Sequence, residues 1–358
     1  MKTYKMIGLM SGTSLDGLDL TYCHIWERKG AWQFAIKETK SVKYSSEMMI
    51  TLKDAINLSA EKLIELHNTY GTWLGEQALT FINDNSLEVD YISSHGHTIH
   101  HRPEIGLTFQ VGSGQHLANT CNIKVICDFR TNDLALGGQG APLVPIGDRT
   151  FFSEYEFCLN LGGISNVSFE VKDKRIAYDI GLANMVLNYI TRKVHIDYDE
   201  DGKLARNGQI NQKMLKRLNS LKYYLLPHPK SIGYEWFLAE VVPIVEDTED
   251  TIENLLHTCI HHICEKVAQQ IQLNFKNKEQ QLLVTGGGAL NSFLIETLQQ
   301  KLGATTKVVV PEKIIIEFKE ALVFALMGVL RVENSTNVLS SVTGAKKDSS
   351  SGVLFIPN

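Results

Sequence analysis

The sequence withholds most of the signatures that assign a function class at sight. Its six cysteines, Cys23, Cys121, Cys127, Cys158, Cys259 and Cys264, form no CxxC pair. They read as reduced, buried thiols, which points to a cytoplasmic protein. No run of residues is long and apolar enough to span a bilayer, and Lys2 and Lys5 are followed by no apolar signal segment. No membrane partner is expected. The net charge is -5 and there is no basic stripe, so no nucleic-acid partner is expected either. Two glycine signatures are missing as well. There is no GKS or GKT for a Walker-type loop, and no GxGxxG for a dinucleotide fold.

What is present is an ordinary globular balance, 44% hydrophobic and 21% charged, over 358 residues. That length exceeds what one hydrophobic core usually serves, so two domains are expected. Residues 4–10, 18–27 and 32–42 read as strands. Ser59 reads as the cap of a long helix carrying Leu63, Leu66, Trp73, Leu74 and Leu79. "DYISSHG", "GLTFQVG" and "IKVICD" follow as strands, the last two separated by a short helix. The Gly- and Pro-rich stretch 134–145 is the candidate interdomain crossing. The pattern then restarts. "FCLNLGG", "SNVSFEV" and "RIAYDIG" read as three strands, followed by alternating helices and strands up to the helix "FKEALVFALMGVLRV". Two mixed-sheet α/β domains facing a cleft are expected. Their bounds are 1–130, with the tail 335–358 as a candidate return, and 131–334.

Three Gly-rich turns follow predicted strands, at residues 11–17, 179–184 and 285–288. Glycine lets backbone amides approach a ligand, and such amides bind phosphate oxygens. Each alone is also an ordinary tight turn; three at strand ends point to a nucleotide. Asp179, ending "RIAYD", is a candidate general base or merely a helix cap. Arg130 is a candidate clamp for a substrate carboxylate or a partner in an interdomain salt bridge. His95 with His97, and His257 with His261 and Cys264, have metal-ligand spacing, but both sets read better as core or rim residues.

"GLMSGTSLDGLD", "SHGHTIHHRP", "DFRTNDLALGGQGAPLVP", "LNLGGISNVS", "YDIGLANMVLN", "PKSIGYEWF" and "VTGGGALN", followed by "EALVFALMGVL" and "VTGA", run in one order from Ile7 to about Ala345. In these motifs the chain resembles the anhydro-N-acetylmuramic acid kinases, of the sugar kinase, actin and Hsp70 superfamily. The resemblance implies two actin-like, ribonuclease H-like domains around a nucleotide cleft, with ATP and Mg²⁺ as cofactors and a small anhydro amino sugar as substrate. Residues 12–19 (Gly12, Thr13, Ser14, Leu15, Asp16, Gly17, Leu18 and Asp19) would form the first phosphate-binding hairpin. Gly162, Gly163, Gly181 and Asn184 would serve the phosphates, and Gly286, Gly287 and Gly288 the adenosine side. Asp179 would be the catalytic base. Thr98, Arg130 and Glu320 would contact the sugar, with Arg130 on the lactyl carboxylate and Glu320 opening the last helix. The Mg²⁺ ligands are not readable, and a homodimer is left open.

The chain departs from the family pattern in places. The family loop usually reads Asp-Thr-Gly-Pro-Gly-Asn, and here Ile180, Leu182 and Ala183 replace Thr, Pro and Gly. Asn188 stands where an aspartate is common, and His97 where a glutamine is. Two alternatives therefore stay open at this point: a kinase of the same fold for another sugar, and a non-catalytic actin-like nucleotide-binding protein. For the anhydro sugar, water would attack C1 while O6 leaves onto the γ-phosphate, so a single carboxylate would suffice.

Overall fold

The computed structural model describes residues 2–12, 15, 17–274 and 279–358. Among them, thirteen strands run in chain order: β1 (Thr3–Ser11), β2 (Leu18–Arg28), β3 (Ala31–Val42), β4 (Tyr91–Ser94), β5 (His97–Arg102), β6 (Leu107–Val111), β7 (Lys124–Cys127), β8 (Phe157–Leu161), β9 (Ile164–Val171), β10 (Lys174–Leu182), β11 (Gln280–Thr285), β12 (Thr306–Val309) and β13 (Val353–Phe355). The chain divides into two units. One holds Met1–Phe152 and Phe318–Asn358, the other Ser153–Glu317.

Each unit has the same sheet. In the first the order is β13-β7-β4-β1-β2-β3, in the second β10-β9-β8-β11-β12. The first three strands of each make an antiparallel meander, and the next two lie parallel to the first. This is the ribonuclease H-like arrangement of actin-like domains. The first unit adds β13 antiparallel to β7 and a separate hairpin, β5 with β6.

Local chemistry explains the elements that matter most. The Ser59 hydroxyl accepts the Lys62 N–H at 3.3 Å and opens the Ala60–Asn85 helix. That helix buries Leu66, Tyr70, Leu74, Ala78 and Phe81, a spacing of three and four residues that forms one face. Leu79 lies off that face and is exposed. The Lys313–Val332 helix packs on the first sheet through two glycines. A Cβ at Gly8 of β1 would lie 1.9 Å from the Ala321 carbonyl oxygen, and one at Gly328 would lie 2.8 Å from the Ser93 Cβ. The Ser93 hydroxyl of β4 donates to the Phe324 carbonyl at 2.5 Å.

The unit boundaries fall at 152/153 and 317/318, not at the expected 130/131 and 334/335. Residues 131–152 pack into the first unit. Phe151 meets Phe34 at 4.6 Å between ring centroids, and Asp148 pairs with Lys319 at 2.6 Å. The expected crossing at 134–145 is fastened within that unit. Asp133 is fully buried and accepts from Gly140 N–H and Thr343 Oγ1, both at 2.7 Å. The Gln139 N–H donates to the Thr343 carbonyl at 2.8 Å.

Gly8→Ala should lower the unfolding free energy by about 3 kcal/mol, read from urea denaturation. The helix would have to lift off β1 to admit a methyl group. An unchanged midpoint would mean that this close approach does not hold the helix.

Candidate active site

In the second unit the site gathers at the carboxyl ends of parallel β8 and β11, where ligands of open α/β sheets bind. Asp179 pairs with Asn166 of β9, and the next pair is Gly181 with Ser165, so Ile180 is an extra residue forming a bulge. Asn166 in turn pairs with Asn160 of β8, and Asn160 with Thr285 of β11. A polar row, Thr285–Asn160–Asn166–Asp179, therefore crosses four strands in register on one face of the sheet. Its end at Thr285 abuts the "TGGG" turn, and its other end is the half-buried carboxylate.

Burial pushes the Asp179 carboxyl above the ordinary carboxylate range, and the Ile232 N–H, donating to Oδ2 at 3.1 Å, partly offsets this. The carboxylate is thus more basic than a solvated one, as general-base work requires.

The glycines of this site serve two purposes. Gly181, Gly286 and Gly288 are demanded by packing. A Cβ at Gly181 would come within 2.7 Å of the Tyr224 ring, one at Gly286 (φ +78°) within 2.5 Å of Asn160 Oδ1, and one at Gly288 within 2.7 Å of Leu161 Cβ. Gly162, Gly163 and Gly287 are different. A Cβ there would meet nothing nearer than 3.4, 3.6 and 3.6 Å respectively, which is ordinary contact. Protein packing does not require these three to lack a side chain, whereas close approach of a ligand to the backbone would. Gly163 and Gly287 are both exposed.

Asn184 joins the turns. Its Nδ2 donates to the Leu161 carbonyl at 3.0 Å, and a Cβ on Gly287 would lie 3.6 Å from that nitrogen. Asn184 opens the Asn184–Arg192 helix. The amides of Ala183 and Met185 donate to Gly163 O at 2.9 and 3.0 Å, and that of Asn184 to Gly162 O at 3.0 Å. The opening amides are therefore taken by the 162–163 turn, which itself forms the exposed rim. The departures Ile180, Leu182 and Ala183 all point into the core, at 1%, 2% and 0% exposure. They change packing beneath the loop and leave its outer face untouched.

The first unit presents the hairpin between β1 and β2. Thr13, Ser14 and Asp16 lie outside the described residues. Gly12 O accepts the Leu15 N–H at 3.4 Å. Gly17 has φ +149°, and a Cβ there would strike the Val42 carbonyl oxygen at 2.3 Å. Leu18 is fully buried in the core, so only its backbone faces the hairpin. Asp19 accepts from the Ser41 hydroxyl. At the hairpin's root Ser11 Oγ contacts Tyr44 OH at 2.5 Å, Tyr70 OH at 2.9 Å and His97 Nδ1 at 3.0 Å. Burial lowers the His97 pKa to about 4, keeping the ring neutral.

Arg130 makes no ion pair among the described residues. Its Nε and Nη2 donate to His95 Nε2 at 3.1 and 2.8 Å, and its Nη1 to the Gly140 carbonyl at 2.6 Å. Burial drops the His95 pKa to about 3, with the Arg130 charge adding to the effect, so the imidazole is a neutral acceptor. Burial also lowers the Arg130 pKa, to about 10, against the raising influence of Glu320. An arginine held by neutral groups keeps its charge for an anion. Glu320 lies in the third turn of a helix that starts at Lys313, so it does not open that helix as expected. Its carboxyl is raised by desolvation, lowered by Lys319, raised by Asp19 and lowered by Arg130. Arg130 and Asp19 thus each lie within electrostatic range of Glu320. Thr98 Oγ1 accepts from Gln110 Nε2 at 3.3 Å, beside a bulge in β5.

Neither histidine set forms a metal centre: among the described residues no group of three or more His, Cys, Asp or Glu is placed to hold an ion. His257 and His261 stack at 4.7 Å, and Cys264 Sγ donates to the Leu294 carbonyl. No local sequence pattern signals that His95 supports Arg130, or that Ile232 meets Asp179.

The family profile described as "Anhydro-N-acetylmuramic acid kinase" matches residues 4–357. A protein of that name from Aliivibrio fischeri is 34% identical over 378 residues, covering 99% of this chain and 100% of the relative. Namesakes from Sulfurimonas denitrificans and Vibrio cholerae are 31% and 30% identical, each alignment covering 98% of both chains. With the same motifs gathered around Asp179 and Asn184, this chain belongs to the anhydro-N-acetylmuramic acid kinase family.

Proposed function

We propose that this chain is an ATP-dependent kinase of 1,6-anhydro-N-acetylmuramic acid, opening the anhydro bridge with water and phosphorylating O6 to give N-acetylmuramic acid 6-phosphate in cell-wall recycling. The observation that carries the reading is Asp179, a desolvated carboxylate at the end of a polar row leading to glycines that packing does not require. Asp179 takes a proton from water as its oxygen bonds to C1. The C1–O6 bond breaks, and O6 bonds to the γ-phosphorus as ADP leaves. The leaving oxygen is captured by phosphorus, so no second carboxylate is needed as an acid.

The nucleotide supplies the phosphoryl group, and its Mg²⁺ neutralises phosphate charge. The donor set fits the nucleotide: Gly162, Gly163 and Gly287 offer backbone that phosphate or ribose can approach. In the first unit, Arg130 pairs with the lactyl carboxylate, and Thr98 and Glu320 hydrogen-bond the sugar. The replaced loop residues and His97 are the ground for another sugar; Ile180, Leu182 and Ala183 are buried in the core, which removes the loop's part of that ground. Six buried cysteine thiols suit the cytoplasm, where we place the reaction.

The test is ATP-dependent phosphorylation of the anhydro sugar, compared with N-acetylmuramic acid and ordinary hexoses. Preference for either of the latter would overturn the reading. Asp179→Asn should lower kcat by roughly 10²- to 10⁴-fold while nucleotide affinity, measured by calorimetry, stays within a few-fold. Near-normal turnover would remove Asp179 as the base. Arg130→Met should raise KM for the anhydro sugar by roughly 10- to 100-fold, as expected for losing a charged hydrogen bond. It should barely change KM for the analogue lacking the lactyl group. An equal loss on both would remove the carboxylate assignment.

A further inference from the structure

"PKSIGYEWF" follows a tight turn at Lys222–Leu225 and runs into the short helix Tyr234–Trp236. β10 is an edge strand, and its outer side is met by this segment at Asp179. The Asp179 N–H donates to the Lys230 carbonyl at 3.1 Å. The Tyr223 hydroxyl donates to the Asp179 carbonyl at 2.6 Å. The Ile232 N–H donates to Asp179 Oδ2 at 3.1 Å. Backbone donor, backbone acceptor and carboxylate are thus each held by one short stretch of chain. Among the described residues, no protein group donates to Oδ1.

We infer that Tyr223–Ile232 is a positioning strap for the general base, which pins Oδ2 with the Ile232 amide and leaves Oδ1 to take the proton from water. This rests on the assignment of Asp179 as base. The geometry specifies the division of labour. A carboxylate with two free oxygens would rotate between them, whereas one with Oδ2 tied keeps a single oxygen aimed. The strap is itself held. His228 stacks on Tyr178 of β10 at 5.1 Å, with 11° between the rings, and Lys230 Nζ lies 4.6 Å from the centre of the Tyr223 ring. The Lys230 ammonium donates to the Tyr223 carbonyl at 3.3 Å, which directs its charge into the strap. The titratable groups of the strap and of the strand beneath it are therefore Tyr223, Lys230, His228 and Tyr178, and of these Tyr223 lies within electrostatic range of Asp179. Beyond Ile232 the strap borders a cavity of about 530 Å³ lined also by Tyr223 and Trp236, which gives room for substitution.

Three variants test the strap. Ile232→Pro deletes the N–H, and Ile232→Ala keeps it. The N–H favours the charged carboxylate, so deleting it raises the Asp179 pKa. Turnover needs the carboxylate ionised, so the acid limb of the kcat–pH profile should move to higher pH in Ile232→Pro. Its kcat should fall roughly 10- to 100-fold, with KM for the nucleotide unchanged. Ile232→Ala should keep the limb in place and stay within a few-fold of the parent. Equal losses in both, with no movement of the limb, would overturn the inference. Tyr223→Phe decides the matter if the proline variant does not fold. A fall in kcat of roughly 5- to 10-fold at constant KM, as one hydrogen bond is worth, supports the strap; an unchanged kcat overturns it. Carbon-13 titration of the Asp179 carboxyl, assigned by its loss in Asp179→Asn, reads the pKa without turnover. A strap that moves this pKa while Asp179→Asn stays active would sink the base assignment and keep the strap.

Discussion

The first unit is organised around backbone contact at Gly8. Strand β1 and the Lys313–Val332 helix approach so closely there that no side chain fits. This contact sets the height of the helix above the sheet, and with it the place of Glu320, the residue before Ala321. Gly328 and the Ser93 hydroxyl repeat the contact on β4. β1 runs on to Ser11 and the hairpin, and β4 runs on to His95, which holds Arg130. One steric constraint thereby ties together the β1–β2 hairpin, Arg130 and Glu320.

The second unit solves a different problem, which is to keep a carboxylate basic without letting it wander. Desolvation raises the basicity of Asp179, and a single amide moderates it. The bulge at Ile180 allows the strand to present Asp179 outward while the next side chain goes into the core. The loop can thus carry Ile180, Leu182 and Ala183 in place of the family's usual residues, because these side chains lie in the core beneath it.

Much of this was legible in the sequence, and the failures have physical causes. The meander strands, the Ser59 cap and the turn at 285–288 depend on neighbours a few residues away, which alternation and composition record; the expected turn at 179–184 is instead strand as far as Leu182, with a bulge at Ile180. The purpose of each glycine does not. Gly181 is fixed by Tyr224, and Gly286 by Asn160, contacts that no local pattern encodes. Glu320 was misplaced to a helix start because the apolar run before it reads equally as loop or helix, and the structure begins the helix at Lys313. Residues 134–145 look like a linker by their glycines and proline, yet Asp133 and Thr343 fasten them across a large gap in sequence. The strap at 223–232 has no periodicity at all; only its placement on the edge of β10 gives it meaning.

The division of the chain also sets an order of assembly. Ser153–Glu317 is continuous, so a ribosome delivers every strand of its sheet in one stretch. The first unit is interrupted. Its meander and its parallel strands β4 and β7 emerge early, but the helix that lies on Gly8 and the strand β13 that covers β7 follow the whole of the second unit. Until then the face of β1 and β4 that this helix covers stays open. The first unit is therefore the later to close during synthesis, and the nascent chain holds a finished second unit while the first still lacks its returning helix.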